Sequence, residues 1–256
     1  TVRNSTNFFN DKMTMDLGFS YVIQEDQNML SQGQYFNPLV PVYLFPRGED
    51  FTPYRMYERY DEGRQLMTQY WPYGEMGMGM QNPYWITERN LFNTDRDRYM
   101  ANAGLKYRVF DWMDISGRVR IDNATTRNTK KLYASTDAKY AQSKGYYGDE
   151  TSIDKQIYAD LLVNINKRFN DFDLTANIGA SIQDLSYERN GAQGQISLIP
   201  NFFTLHNVDL NANNSRLRQD GWKEQTQSVF ASAELGWKSM LYLSATARND
   251  WASALQ

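Results

Sequence analysis

The stretch that decides the fold is residues 153–183, which read IDKQIYADLLVNINKRFNDFDLTANIGASIQ. Apolar residues fill every second position of the first arm, at Ile157, Ala159, Leu161, Val163 and Ile165. After a tight corner at residues 168–173 they do so again, at Leu174, Ala176, Ile178, Ala180 and Ile182. Because successive side chains of a strand point to opposite faces, each arm predicts a strand with one apolar and one polar face. Each arm also reaches the roughly 9–11 residues that a tilted strand needs to cross a bilayer, so the hairpin favours a membrane barrel.

The composition limits the classes of protein that fit. The 256 residues carry a formal net charge of −3 and no cysteine. An acidic balance argues against a non-specific nucleic-acid binder, which needs a basic face to displace counterions from phosphate. The lack of cysteine excludes disulfides, thiolate metal sites and a cysteine nucleophile. The mean hydropathy of −0.69 does not argue against a membrane barrel, because lipid-facing and polar residues alternate and cancel in the average.

The same unit repeats along the chain. Alternating segments follow a short N-terminal remnant at residues 1–7 and lie near 13–24, 98–109, 115–122, 156–166, 174–183, 228–237 and 241–248. Tight corners near Phe9, Asp111, Asn170 and Ser239 alternate with long connections at residues 27–97, 126–151 and 188–225. Short turns at one end of the strands and long loops at the other are typical of outer-membrane barrels. The sequence predicts an all-β fold, an antiparallel meander of seven long strands plus the remnant, forming an open part of a transmembrane β-barrel with long extracellular loops.

The alternation also predicts which side chains face lipid. Ile157, Leu161, Val163, Ile178 and Ile182 are expected outside, and Asp160, Asn164, Asn177 and Gln183 inside. Five basic residues on the strands are expected to face the lumen and pair with carboxylates there: Arg98, Lys106, Arg108, Arg118 and Arg120. Aromatic residues gather at the tight corners, namely Phe8, Phe9, Phe110, Trp112, Phe169, Phe172 and Trp237. They predict an interfacial girdle; the alternative is that they are core residues at strand ends.

The connection at residues 27–97 holds the candidate ligand contacts. It is rich in aromatic residues, which disordered segments lack, so it is expected to be packed and ordered. Sugar rings stack on Tyr or Trp while their hydroxyls bond to amides and charged groups. The residues with that mixture are Tyr84 and Trp85 beside Gln81 and Asn82, and Tyr70 and Trp71 beside Gln69. The alternative is that these residues pack the loop against itself or against a partner.

The order of several motifs resembles the middle of SusC-like (SusC/RagA) TonB-dependent outer-membrane transporters of Bacteroidota. The motifs are Phe36-Asn37-Pro38-Leu39-Val40-Pro41 with Phe45-Pro46-Arg47-Gly48, Gln81-Asn82-Pro83-Tyr84-Trp85, Gly117-Arg118-Val119 and Arg248-Asn249-Asp250-Trp251. The resemblance covers nearly the whole chain. It implies import of glycan oligomers or peptides, energised by a TonB complex and aided by a SusD-like surface lipoprotein that covers the barrel.

Under this resemblance, residues 1–256 are expected to be one segment of a single transporter barrel domain in the outer membrane. The signal peptide, the plug, the segment that contacts TonB and the closing C-terminal strands are then expected outside this sequence. A second class stays open, a soluble all-β carbohydrate-binding or glycan-processing module. Such a module would bury its apolar stripe against a second sheet, whereas a transporter turns that stripe to lipid.

No pattern in the sequence predicts catalysis, a metal or a cofactor. The single histidine, His206, lies in a connection without cysteine, which argues against a metal site or a Ser-His pair. Residues 209–220 resemble a calcium loop, but Asn214 replaces the turn glycine, so an Asn-rich turn is favoured. The repeat of Met76, Met78 and Met80 predicts flexible packing rather than a soft-metal site. The protein is therefore expected not to be an enzyme.

Overall fold

The computed structural model describes residues 1–29, 33–74 and 80–255. Its elements in chain order are β1 (Val2–Phe8), β2 (Met13–Gln27), α1 (Leu39–Leu44), β3 (Glu58–Asp61), β4 (Leu66–Gln69), α2 (Pro83–Arg89), β5 (Asn90–Phe110), β6 (Met113–Leu132), β7 (Tyr146–Phe169), β8 (Phe172–Ile196), β9 (Val208–Asp209), β10 (Arg216–Trp237) and β11 (Leu241–Ala252). Short 3-10 helices lie at Thr52–Arg55, Leu205–Asn207 and Ser253–Leu255.

One antiparallel sheet dominates the described residues. Its order is β1-β2-β5-β6-β7-β8-β10-β11, with β9 added beside β8, and every pairing is antiparallel. β1 and β11 form its two edges, so the sheet is open over the described ranges. The predicted all-β meander of seven long strands and a remnant is confirmed. A helix long and apolar enough to span a membrane does not occur among the described residues.

The long strands extend further than the alternation predicted. β5 begins at Asn90, β6 ends at Leu132 and β8 ends at Ile196. The predicted bounds of the connections at residues 27–97, 126–151 and 188–225 were therefore wrong, because the flanking strands extend into each of these ranges. Near these ends both faces of the strands are polar, so side-chain alternation disappears while backbone pairing continues.

The two ends of the sheet differ. At the end here called the corner end, the strands are joined by tight turns. Several turn residues adopt positive φ, among them Asn170 at 52°, Lys238 at 50° and Ser239 at 56°. Positive φ at two consecutive central residues, as at Lys238 and Ser239, is that of a type I′ turn, which matches the twist of the strands. At the opposite end, the loop end, the connections fold into α1, α2 and the separate β3–β4 hairpin. The connection predicted as ordered is indeed ordered where it is described.

The buried apolar residues lie at the loop end. One cluster consists of Leu132, Ala141 and Tyr146, and a second of Tyr147, Ile196 and Val208.

Most corner aromatics are exposed, with 72% of Phe9 and 52% of Phe110 accessible. Phe110 stacks on Trp112 with ring centroids 5.2 Å apart, and the Lys167 amine lies 4.5 Å from the Trp112 ring. The alternative that the corner aromatics form a core is therefore wrong.

Candidate functional site

Helix α2 is positioned by Asn82, whose side chain is fully buried. Its Oδ1 accepts a hydrogen bond from the Tyr84 amide at 2.9 Å, which caps the helix, and Pro83 follows at the first helical position. Its Nδ2 donates to the carbonyl oxygens of Tyr54 at 2.8 Å and Tyr70 at 3.1 Å. One side chain therefore joins α2 to two other parts of its own connection.

Trp85 and Gln81 join this connection to the next one, residues 133–145. The Trp85 ring is fully buried, and its Nε1 donates to Thr136 Oγ1 at 3.0 Å. Gln81 donates to the Tyr35 carbonyl at 2.9 Å and accepts from the Asp137 amide at 3.2 Å. The side-chain polar atoms of Gln81, Asn82 and Trp85, which were candidates for ligand contact, are thus hydrogen-bonded within the protein. In this conformation Asn82, Gln81 and Trp85 hold loops together.

Tyr84, Tyr70 and Trp71 retain partial exposure. Tyr70 stacks on Tyr54 with centroids 5.9 Å apart, and the Arg59 guanidinium lies 3.3 Å from the Tyr70 ring centroid. Trp71 packs edge-on against Tyr54 at 5.5 Å, and its buried Nε1 has no hydrogen-bond partner in the described part of the chain. Contact of these three residues with a ligand stays a prediction.

A bidentate ion pair holds the β3–β4 hairpin against α2. The Nε and Nη2 of Arg89 each donate to Glu58 at 2.8 Å, and the Tyr133 ring lies 5.1 Å from the guanidinium. Hydrogen bonding to Glu58 raises the pKa of Arg89, and burial raises the pKa of the neighbouring Tyr57. The paired planar groups fix the hairpin in orientation as well as position.

Gln69 supplies a second link to residues 133–145. Its backbone N–H donates to Ser135 Oγ at 2.9 Å, and its side-chain Nε2 donates to the Ser135 carbonyl oxygen at 3.1 Å. Its Oε1 accepts a hydrogen bond from the backbone N–H of Asn82 at 2.6 Å. Together, residues 35–74, 80–89 and 133–145 make a cross-linked structure at the loop end, here called the rim platform. It is a surface rather than a set of free loops.

The two faces of the sheet separate by chemistry. The polar face contains Asp160, whose carboxylate is almost fully buried and pairs with Arg118 at 3.0 Å. Arg98 pairs with Asp122 on the same face, and Lys106 with Asp114 at 3.3 Å. Cross-strand register puts Arg120 opposite Tyr158 and Arg108 opposite Asp114, again on this face. The predicted common face of the five basic residues is confirmed, as is pairing for Arg98, Lys106 and Arg118.

The apolar face carries the predicted lipid-facing side chains. Register pairs Val163 with Ile178 and Ala159 with Ile182, and Asn164 with Asn177 on the polar face. Leu161 is 55% exposed and Ile178 is 53% exposed. The apolar stretches are in register from strand to strand and form one continuous band. With the usual rise per residue and strand tilt, 9–11 residues give a band about 20–25 Å tall.

The segment that resembles a calcium loop, residues 209–220, forms a turn followed by part of a strand. Asp209 closes its own turn by accepting from the Asn211 amide at 2.9 Å, whereas Asp220 lies on β10 and bonds to Arg189 at 3.0 and 2.6 Å. The structure therefore has the turn that was favoured over a calcium loop. No group of three or more His, Cys, Asp or Glu side chains suited to a metal occurs in the described ranges. Met76 and Met78 lie outside the described residues.

Sequence reasoning missed an aromatic pair on the polar face. Tyr187 and Trp222 stack with centroids 6.3 Å apart. Trp222 fell in a segment predicted to be a loop, so it was assigned no face. The position of Trp222 in the sequence could have assigned its face. It is an even number of residues from Ser228, which belongs to the polar face of the same strand, and such residues share a face.

Comparison with known proteins adds the fold relationship. No protein-family model and no curated protein matches the sequence. The chain is 17% identical to the RagAB peptide transporter, with a TM-score of 0.70 over 98% of this chain and 28% of that one. Against the RagAB peptide importer in its open-open state the identity is 15% and the TM-score 0.67, over 98% and 26%. The siderophore receptor PiuA from Acinetobacter baumannii gives 11% and 0.44, over 95% and 37%.

Identities this low indicate likeness of fold. The likeness to the RagAB structures shows that the open meander has the fold of part of those chains. The chain spans about a quarter of the length of the RagAB chains that it matches.

Proposed function

We propose that this chain forms part of the barrel wall of an outer-membrane TonB-dependent transporter. The observation that carries the proposal is the continuous band on the apolar face, set opposite an ion-paired polar face. Exposed apolar patches of more than a few hundred Å² are unusual on soluble monomers and mark contact with lipid or protein. A bilayer covers this band, while the polar face lines an aqueous lumen.

The soluble alternative needs a second sheet to cover the band. The other sheet in the described residues is the β3–β4 hairpin, and it belongs to the rim platform. Its two four-residue strands are too short to cover the long strands of the main sheet. The arrangement therefore favours the membrane protein over a soluble carbohydrate-binding or glycan-processing module.

The transported ligand is proposed to be an oligomer, a glycan or a peptide, captured with a SusD-like lipoprotein and moved with energy from a TonB complex. The motif resemblance and the rim platform support this, since the platform presents partly exposed Tyr84, Tyr70 and Trp71 at the loop end. The RagAB structures described above are named as those of a peptide importer or transporter, which supports a peptide. Residues 1–256 are proposed to be one segment of a single barrel domain.

Membrane fractionation of the complete protein tests the proposal. We expect it to sediment with outer membranes, to resist extraction by high salt and alkaline carbonate, and to dissolve only in detergent. A known soluble periplasmic protein and a known outer-membrane porin are the controls. Recovery of the complete protein in the buffer-soluble fraction would remove the transporter proposal and favour the soluble module.

A further inference from the structure

A groove on the polar face lies near the loop end, below the rim platform. Its volume is about 350 Å³, and its lining includes Arg96, Arg98, Ala124, Asp154, Leu185 and Trp222. Register puts one row of side chains across five strands: Arg98, Ala124, Asp154, Tyr187 and Trp222. The groove therefore runs across the strands, from β5 to β10.

The groove is lined by three basic residues, Arg96, Arg98 and Lys155, and by two acidic residues, Asp122 and Asp154. Arg98 is taken up by its ion pair with Asp122. Arg96 lies on the same strand one row nearer the loop end, and in the described ranges its buried Nε has no hydrogen-bond partner. Asp154 is exposed two strands away. Between them, Ala124 is 3% exposed and forms a small floor. Two inter-strand spacings separate the strand of Arg96 from the strand of Asp154 by about 10 Å; these two strands are here called the cationic and anionic sides of the groove.

An aromatic shelf adjoins the anionic side. Trp222 is 52% exposed although it stacks on Tyr187, so one large ring surface stays open to a ligand. Leu185 lies one row nearer the corner end and is partly buried. The other charges next to this shelf are Glu224, one row below, and the Arg189–Asp220 pair, one row above. The shelf can thus receive an apolar side chain.

We infer that this groove is a binding site for peptides, with a ligand ammonium at Asp154, a carboxylate at Arg96 and an apolar side chain on Trp222. An extended chain advances about 3.3 Å per residue, so opposite charges about three residues apart match the separation. A neutral glycan could stack on Trp222 but would bring no charged group to Arg96 or Asp154. The inference rests on the proposed function and narrows its ligand to peptides.

Calorimetric titration of the complete protein in detergent tests the site with the peptide Phe-Gly-Gly. We expect Trp222→Ala to weaken binding about tenfold or more. N-acetylation of the peptide should weaken binding to the wild type by a similar factor, and so should C-terminal amidation, because each removes a charge-assisted hydrogen bond. The loss of affinity on N-acetylation should disappear in Asp154→Asn, and the loss on C-terminal amidation should disappear in Arg96→Gln, as expected for groups that interact directly.

Matched controls lie on the apolar face. Lys223→Gln changes a charge next to Trp222, and Trp251→Ala removes a ring that is 56% exposed; neither should change binding. Absence of Phe-Gly-Gly binding to the wild type, unchanged binding in Trp222→Ala, or equal binding of capped and free peptides would overturn the inference. Maltotriose binding that depends on Trp222 while the peptide does not bind would overturn it as well.

The two proposals fail separately. A protein that inserts into the outer membrane but binds no peptide in this groove refutes the site and leaves the transporter standing. A buffer-soluble protein that shows the expected penalties refutes the transporter and keeps the peptide site.

Discussion

At the scale of single residues, the Gln81-Asn82-Pro83-Tyr84-Trp85 motif organises structure. Asn82 and Trp85 are fully buried, and each bonds to a different segment of the rim platform. Their side chains therefore determine whether the partly exposed aromatics keep their positions. A loss of ligand binding on mutation of these two residues would follow from a disordered platform.

Replacing Trp85 with Ala should destabilise the rim platform by about 3–5 kcal/mol, because a buried indole is lost and its cavity remains. Hydrogen exchange followed by mass spectrometry should show faster exchange in residues 80–90 and 133–145. Tyr84→Ala is the matched control, since Tyr84 is partly exposed and should cost much less. Equal protection in wild type and Trp85→Ala would contradict the structural role.

Two substitutions of Asn82 separate its roles. Asn82→Asp keeps the helix cap but replaces the two N–H donors with a charge next to the carbonyl oxygens of Tyr54 and Tyr70. We expect it to be at least as destabilising as Asn82→Ala, which loses a cap worth about 0.5–2 kcal/mol and leaves buried carbonyls unpaired at about 1–3 kcal/mol each. Hydrogen-exchange protection of α2 measures the destabilisation in both variants. If Asn82→Asp matched the wild type, capping alone would explain the residue.

At the scale of secondary-structure elements, the hairpin β3–β4 depends on one ion pair and on Gln69. Both partners of the Arg89–Glu58 pair are mostly shielded from solvent, with side-chain exposures of 27% and 19%. The bidentate geometry requires a guanidinium, because an ammonium group cannot donate two parallel hydrogen bonds to a carboxylate.

Arg89→Lys should therefore loosen the hairpin even though the charge is kept. We expect a loss of about 1 kcal/mol in local opening free energy, discounted for the remaining solvent exposure. Limited proteolysis at residues 58–69 reports it as faster cleavage. Arg47→Lys, on an exposed residue of the same connection, is the control and should leave the cleavage rate unchanged.

The facing of strand β7 gives a second prediction for an element. Spin labels at Leu161 and Asn164 of the complete protein should differ in accessibility, with oxygen favoured at residue 161 and a water-soluble nickel reagent at residue 164. The reason is that one position faces lipid and the other the lumen. Equal accessibility at both positions would refute the membrane orientation of this strand.

At the scale of the whole molecule, the apolar band is a property of the sheet and of no single strand. Each strand contributes alternate residues, and register aligns them with their neighbours; Val163 beside Ile178 and Ile178 beside Ala231 are examples. A charge in the middle of the band would have to enter hydrocarbon. The same charge on the opposite face would meet water.

Ile178→Arg should therefore destabilise the membrane-inserted protein by about 2–4 kcal/mol, whereas Asn177→Arg should cost much less. The two positions are adjacent in β8, so their location along the strand is matched. Urea unfolding in lipid vesicles, followed by the heat-dependent gel shift of folded barrels, measures the difference. Similar losses from both substitutions would mean that the apolar face does not contact lipid.

The sequence by itself determined the strands, the tight corners and the division of side chains between two faces. These features depend on neighbours at i and i+2 and on turn residues such as Asn170 and Asp171, so they are written locally. The alternation of Leu161 with Asp160 was enough to assign them to opposite faces. The same local signal stopped near Thr126 and Glu188, because polar residues then occupied both faces while the strands continued.

Only the tertiary structure decided what the candidate site residues do. Trp85 meets Thr136 across 51 positions of the chain, and Arg98, Asp154 and Trp222 reach one groove through strand register. Such contacts arise from pairing between distant segments, which local alternation does not encode. Burial of Trp85 and exposure of Trp222 are therefore consequences of how the whole sheet and its connections pack.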